Sequence, residues 1–394
     1  MKVVLVGNTT PPDTLGGLGR YVRELATALA RQGVDTTLLV KRVIADTPRV
    51  ERAPDGVRII RYDVPSKRNP LFGAAYPLLT ARGVLGPLRF AGRDADIILH
   101  AHFPVTALPI ALARMPYLYT FHAPVWRELL DERQGTYALP RAVQRPAVAT
   151  LRAAERLVVA RADRTVALSA FMRGELAQLS AAAGASCELL PGGVDTGRFS
   201  VDPSVARAAD GAPQLFTARR LTPRTGVDRL VEAMPGIVRD HPRVRLAIAG
   251  VGEMDGMLRE RAESLGMADR IRFLGRVSED ELVGWYRSST LVVMPTLSLE
   301  GFGLTTAEAL ACGTPVVGTP VGATPELLAP LDPALIAPDN TPASLAATVS
   351  RALGDPVALR AVAARSRAQV EPTMGWDAIA ARYIALYAQA RPYR

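Results

Sequence analysis

The chain has 394 residues, of which 48% are hydrophobic and 22% charged, a composition that fits two or three globular domains and excludes disordered or fibrous classes. No apolar run approaches the roughly 18–20 residues of a membrane-spanning helix, the first residues turn to loop too soon for a signal peptide, and two cysteines, Cys187 and Cys312, are too few for a disulfide framework, so a cytoplasmic protein is expected. The net charge of +9 is unevenly spread: residues 1–190 hold 25 Lys+Arg against 16 Asp+Glu, whereas residues 191–394 hold 22 of each.

Residues 2–6 form a short, nearly all-apolar run that ends at Gly7-Asn8, the pattern of a strand buried on both faces of a parallel sheet. Tyr21, Val22, Leu25 and Leu29 then recur at helical spacing and predict a helix over 19–31, with Gly33 ending it before a second strand over 36–40. This is a strand-helix-strand unit, which implies a right-handed crossover. Further strands are predicted at 57–62, 97–101, 117–121, 164–167 and 188–190. Residues 41–93 carry 11 basic and 4 acidic side chains, a surplus able to attract phosphate or an anionic surface, or simply to be solvated. Few aromatics accompany it, so nucleic acid is not an expected partner. Between 64 and 93 prolines at 65, 70, 77 and 87 and glycines at 73, 83, 86 and 92 predict loop with short helices.

A second strand-helix series is predicted, with strands at 215–218, 244–249, 271–274, 291–294, 315–318 and 334–336. Two such series argue for two doubly wound α/β domains joined near 191–213, with a ligand in the cleft between them. Residues 376–390 place Ile379, Tyr383, Leu386 and Tyr387 on one face and read as a closing helix.

Gly16-Gly17-Leu18-Gly19 opens the first helix and offers backbone amides to a phosphate. A nicotinamide site would need its glycines directly after the strand and an acidic residue after strand two. Here Gly7 and Gly16 are nine apart and Lys41-Arg42 follows strand two, so that reading is poor. The stronger signal runs from Pro295 to Val317. A strand stops at Pro295, and Gly301 and Gly303 flank Phe302 ahead of a helix predicted over 305–312, an arrangement that aims free amides at an anion such as a diphosphate. Glu300 lies on the loop within reach of a sugar ring, and Glu308 lies one turn inside the helix, within reach of a ribose.

The array resembles the nucleotide-sugar site of retaining glycosyltransferases of family 4, which have the GT-B fold of two facing Rossmann-like domains. The resemblance covers nearly the whole chain. It includes the early Gly-Gly loop, Asp96 to His102, Tyr119 to His122, Ala162 to Ser169, Pro191 to Asp195, Arg220 to Asp228, and the glutamates at 300 and 308. It implies an acceptor-binding domain over 1–190, a nucleotide-sugar-binding domain over 191–372 and a closing segment over 373–394.

The resemblance also implies roles. Glu300 meets the transferred sugar and His122 stands beside it, making these the catalytic candidates, while Glu308 meets the ribose. Arg220 grips the diphosphate together with the Gly16 and Gly17 loop and the backbone at Gly301, Phe302, Gly303 and Leu304, and the base lies near Arg276 and Val277. The family's lysine position is Thr225, with Arg224 beside it as a substitute phosphate ligand or a turn residue. A second departure is Gly322-Ala323 in place of two glycines. His100 and His102 read as structural strand-end residues. Asp94 and Asp96 look like the metal pair of the other glycosyltransferase fold but precede a strand in the wrong topology, so neither metal nor cofactor is expected.

The expected reaction is transfer from a nucleotide-sugar donor, a UDP-sugar being favoured, to a hydroxyl of a small polar acceptor. An aminocyclitol or amino sugar glycoside of specialised metabolism fits this class, with Asp13, Glu128, Asp131 and Glu132 nearest to meet its amino group. A membrane-associated enzyme with a glycolipid acceptor and a nucleotide-sugar epimerase are the alternatives. The prolines and glycines of 64–93 argue against a long interfacial helix, and hence against the membrane.

Overall fold

The computed structural model describes residues 1–12, 17–65, 72–94, 96–127, 141–205 and 212–393, without the side chains of 72–74, 90–94 and 141–144. The chain divides into two compact units.

The first unit comprises Met1–Trp126, Leu139–Gly193 and Trp376–Arg394. Its strands are β1 (Lys2–Val6), β2 (Asp35–Lys41), β3 (Val50–Arg52), β4 (Arg58–Tyr62), β5 (Ile97–Ala101), β6 (Leu118–Phe121), β7 (Arg164–Ala167) and β8 (Glu188–Leu189). They form one sheet in the order β3-β4-β2-β1-β5-β6-β7-β8, parallel except for β3 against β4. Helices α1 (Gly17–Arg31), α2 (Phe72–Asp94), α3 (Pro104–Leu112), α4 (Arg141–Arg161), α5 (Ala170–Leu179) and α6 (Ala181–Ser186) connect them. Val3, Val4, Leu5 and Val6 of β1 and all of β5 are buried, as their unbroken apolar runs require when both faces are covered.

One expectation is corrected. Residues 72–94 form a single 23-residue helix with Pro77 and Pro87 inside it. Each proline costs a backbone hydrogen bond. Thr80, Val84 and Leu88, at successive i, i+4 positions, bury fully on one face, and Val84 and Leu88 join the core that includes Tyr62, Leu39 and Ile110. Burial of that stripe, about 1.5–3 kcal/mol for each large apolar side chain, offsets the prolines. Propensity predicted the interruption and tertiary packing overrode it.

The second unit is built on Val194–Gly375. Its strands β9 (Gln214–Ala218), β10 (Arg245–Ala249), β11 (Ile271–Gly275), β12 (Leu291–Met294) and β13 (Val316–Gly318) form a parallel sheet in the order β11-β10-β9-β12-β13. Helices α7 (Val227–Asp240), α8 (Asp255–Ser264), α9 (Glu279–Ser288), α10 (Leu304–Ala311), α11 (Thr324–Leu328), α12 (Pro342–Gly354) and α13 (Pro356–Met374) surround it. The strand predicted at 334–336 is instead a 3-10 turn, Pro333–Leu335, with Ile336 making one isolated bridge to Gly318. Asp332 explains the turn, because its carboxylate accepts the Ala334 N–H while Pro333 presets the first φ. The last helix, α14 (Trp376–Ala388), belongs to the first unit, where it packs on α1. Each unit is a Rossmann-like α/β layer structure.

Candidate functional site

In a doubly wound sheet the strand order reverses between the first strand and the one that returns to its other side, and ligands bind beyond the carboxyl ends of that pair. In the second unit the pair is β9 and β12. Residues 219–226 follow β9 and residues 295–303 follow β12, so the fold itself brings the two predicted arginines to the two-glycine loop. The Leu297 N–H donates to the Arg224 carbonyl at 2.9 Å, and Thr305 Oγ1, in the first turn of α10, donates to the Ala218 carbonyl at 3.5 Å.

Helix α10 begins at Leu304, one residue ahead of the prediction, with Gly303 as its N-cap at φ 81° and ψ 48°. That left-handed conformation suits glycine, and it lets Phe302 bury at 8% exposure while the chain turns into the helix. The first intrahelical bond runs from the Ala307 N–H to the Gly303 carbonyl, so the amides of Leu304, Thr305 and Thr306 precede the ladder and carry the positive end of the helix dipole.

Glu300 does not stand alone on its loop. Arg219 Nη1 lies 2.6 Å from its Oε2, and Thr296 Oγ1 lies 3.4 Å from the same oxygen. Its backbone carbonyl accepts the Ala323 N–H at 2.9 Å. A Cβ on Gly322 would come within 2.4 Å of that carbonyl oxygen, so only glycine allows the approach. The Gly322-Ala323 departure therefore falls on a turn that touches Glu300 itself.

Arg220 is exposed, two residues past the end of β9. Arg224 is partly buried, and its Nη1 donates to the Leu299 carbonyl at 3.3 Å, bracing a residue at φ 53°, a strained value for a branched side chain. Thr225 is buried and its hydroxyl bonds the Arg220 and Thr222 carbonyls, a turn-closing role with no charge. Glu308 is 2% exposed, and the Tyr286 hydroxyl donates to its Oε2 at 3.1 Å. Val277 lies in the loop after β11, directly before Ser278, which caps α9 in a reciprocal box with Glu281.

In the first unit the corresponding pair is β1 and β5, with β6 beside β5. β5 delivers His102 and β6 delivers His122, and His102 Nδ1 lies 3.1 Å from His122 Nε2. Behind them a chain of hydroxyls and rings links α1, the sheet and α14. Tyr21 OH meets Tyr383 OH at 2.9 Å, Tyr383 OH meets Thr120 Oγ1 at 2.9 Å, and His100 bridges Thr120 at 2.8 Å and Tyr387 at 2.6 Å. The Tyr21 ring packs edge-on to His122.

Burial holds His100 and His102 well below the usual histidine range, and draws His122 down to about 3. All three are neutral at ordinary pH. Among the described residues His102 Nε2 is buried with no hydrogen-bond partner. A buried lone pair is tolerated better than an orphaned N–H, so the lower-cost tautomer places the His102 proton on Nδ1, donating to His122 Nε2. The His122 proton then sits on Nδ1, as a donor.

Gly17 is the exposed first residue of α1, and a Cβ there would meet open space, whereas Gly19 lies against the Thr9 carbonyl. Gly16, Asp13, Glu128, Asp131 and Glu132 lie outside the described residues. Among the described residues no group of three or more His, Cys, Asp or Glu side chains gathers to hold a metal ion, and no helix is long and apolar enough to cross a membrane. Sequence reasoning missed Arg219, Tyr286 and the coupling of His102 to His122. The doubled Arg219-Arg220 at a strand end and the three histidines ending adjacent strands were their only signals.

Residues 15–198 match the family described as Glycosyltransferase Family 4, and residues 201–369 match Glycosyl transferases group 1. The D-inositol 3-phosphate glycosyltransferase of Kineococcus radiotolerans is 31% identical over 95% of this chain and 91% of its own length. The glycogen synthase of Mycobacterium tuberculosis is 28% identical over 99% of this chain and 95% of its own. Among solved structures, sucrose-phosphate synthase from Thermosynechococcus elongatus superposes with a TM-score of 0.79 at 23% identity, covering 99% of this chain and 98% of the other. Anabaena HepE in complex with UDP gives 0.75 at 18%, covering 99% and 100%.

Proposed function

The chain belongs to glycosyltransferase family 4, with the GT-B fold and a nucleotide-sugar donor, and on that premise we propose that it moves a sugar from an alpha-configured UDP-sugar to a hydroxyl of a small soluble polyhydroxylated acceptor, with retention and hence an alpha linkage. An aminocyclitol or an amino sugar glycoside is the acceptor class. The observation that carries the reading is that the loops after the adjacent strands β9 and β12, which carry Arg220 and the Arg219-anchored carboxylate of Glu300, lie at the switch point where the first turn of α10 begins.

The chemistry requires stabilisation of a departing nucleoside diphosphate, most strongly in the transition state. Arg220 and the first-turn amides of α10 supply positive charge there, so no metal is needed. Glu308, fixed by Tyr286, takes the ribose hydroxyls, and Glu300 takes hydroxyls of the transferred sugar. In same-face displacement the bond from the anomeric carbon to the diphosphate oxygen breaks. The acceptor oxygen bonds to that carbon from the same side, and its proton passes to the leaving phosphate. His122, neutral and carrying its proton on Nδ1, serves as a hydrogen-bond donor to the sugar rather than as a base.

The relatives support the donor and the acceptor class separately. HepE is a UDP complex, and the inositol phosphate enzyme is named for a small cyclitol acceptor. Helix α2 brings Leu78 and Leu79 to the surface, but among its described side chains the exposed cations are only Arg82 and Arg89, too few for the basic face of an interfacial helix. Calorimetry with UDP, ADP and GDP tests the donor: UDP should bind tightest, and equal or tighter binding of another nucleotide would reassign it.

A further inference from the structure

Arg219 is the first residue past β9 and immediately precedes the arginine assigned to the diphosphate. Its backbone N–H donates to the Ala249 carbonyl at 2.9 Å, fixing where its side chain starts. That side chain is only 7% exposed. One guanidinium nitrogen, Nη1, sits 2.6 Å from Glu300 Oε2 and the other, Nη2, donates to Thr296 Oγ1 at 3.2 Å. Thr296 is fully buried and its hydroxyl closes the triangle on Glu300 Oε2. Both contacts to the carboxylate, from Arg219 Nη1 and Thr296 Oγ1, fall on Oε2, leaving Oε1 to accept from a ligand.

Charge favours the same arrangement. A carboxylate next to a departing diphosphate repels it, and a guanidinium that never loses its proton cancels that repulsion while keeping the carboxylate an acceptor. A buried arginine in turn needs a carboxylate partner. The backbone of Glu300 is held independently, by Ala323 on its own carbonyl and by Arg224 on the carbonyl of Leu299. Arg219 therefore acts on the side chain alone.

We propose that Arg219 is a positioning residue for sugar transfer: it holds Glu300 with Oε1 turned to the hydroxyls of the donor sugar, and so acts on sugar recognition rather than on nucleotide binding. This rests on the reading of Glu300 as the sugar-facing carboxylate. The experiment compares Arg219→Met, Arg219→Lys, Glu300→Gln and the Arg219→Met/Glu300→Gln double variant, each checked for folding by circular dichroism. It reads kcat/KM for transfer and, by calorimetry, the Kd for free UDP.

Arg219→Met should lower kcat/KM by about ten- to a hundredfold with little change in UDP affinity. Arg219→Lys should recover part of the loss, and the double variant should be no worse than the poorer single one. A loss of UDP affinity matching the loss in kcat/KM, fully additive effects, or unchanged transfer in Arg219→Met would each overturn the proposal. If Glu300→Gln alone leaves transfer unchanged, the reading of Glu300 fails whatever Arg219 does. Should Arg219→Met not fold, Arg219→Lys assayed with a series of deoxy-sugar donors decides. The penalty for lysine should vanish with the donor lacking the hydroxyl that Glu300 binds, and a penalty equal for all donors would contradict the proposal.

Discussion

The Tyr286 hydroxyl of α9 donates to the Glu308 carboxylate of α10 at 3.1 Å, in a place where Glu308 is 2% exposed. A hydrogen bond to a charged group contributes about 1.5–3 kcal/mol, so this one fixes the carboxylate before any ligand arrives. Tyr286→Phe should weaken UDP binding by about tenfold, equivalent to roughly 1.4 kcal/mol. Unchanged affinity by calorimetry would separate Glu308 from the nucleotide.

The two glutamates should part in the same assay. Glu308→Gln should weaken both free UDP and the intact donor, whereas Glu300→Gln should weaken only the donor, because its proposed partner is the sugar. Equal losses for free UDP in both variants would contradict the assignment.

Arg220 and Arg224 should also differ. If Arg220 meets the diphosphate as proposed, Arg220→Ala should cost about ten- to a hundredfold in kcat/KM together with UDP affinity. Arg224→Ala removes the brace on Leu299, whose φ is 53°, and should lower kcat more than it weakens UDP. If Arg224→Ala weakens UDP as much as Arg220→Ala does, Arg224 is a phosphate ligand in place of the family's lysine.

The histidines set an acid limit on stability. His100, His102 and His122 have folded values below the ordinary 6.5, His122 at about 3. Below about pH 6.5 the unfolded chain therefore binds protons that the folded chain refuses. The stability present above that pH is lost as pH falls toward the folded values, at about 1.4 kcal/mol per pH unit for each histidine. Denaturant titrations between pH 7.5 and 5 should show this decline, and kcat/KM should show no limb near pH 6.5 from His122. A histidine limb near 6.5 would mean that His122 titrates as an exposed ring.

Addition of a chelator should leave transfer unchanged if Arg220 and the α10 amides meet the diphosphate charge as proposed. Loss of activity restored by a divalent cation would refute this.

Much of this was legible beforehand. The alternation of apolar runs and helical faces announced both sheets, because strands buried on both sides leave an unbroken signature, as in residues 291–294. The Glu300 to Glu308 segment was legible because its glycines and its strand-to-helix junction occupy consecutive positions. Helix α2 was not, since its stability comes from Val84 and Leu88 meeting residues distant in sequence. Arg219 was not either: a strand-end arginine has no local mark of the carboxylate 81 positions away that it will meet. The histidine pair arises from β5 and β6 lying side by side, a fact of topology rather than of spacing.

Acceptor choice separates the soluble reading from the membrane one. Sedimentation with vesicles containing anionic lipid should leave the protein in the supernatant at both low and high salt. Strong, salt-sensitive binding would restore a lipid acceptor.

The central claim is tested most directly by incubating the enzyme with a UDP-sugar, with and without a panel of soluble cyclitol and amino sugar acceptors, and following UDP release together with the proton NMR spectrum of the product. UDP release should depend on an acceptor, and the product should give an anomeric signal of the alpha configuration. Conversion of the donor sugar with no acceptor present, or a beta-linked product, would contradict the claim.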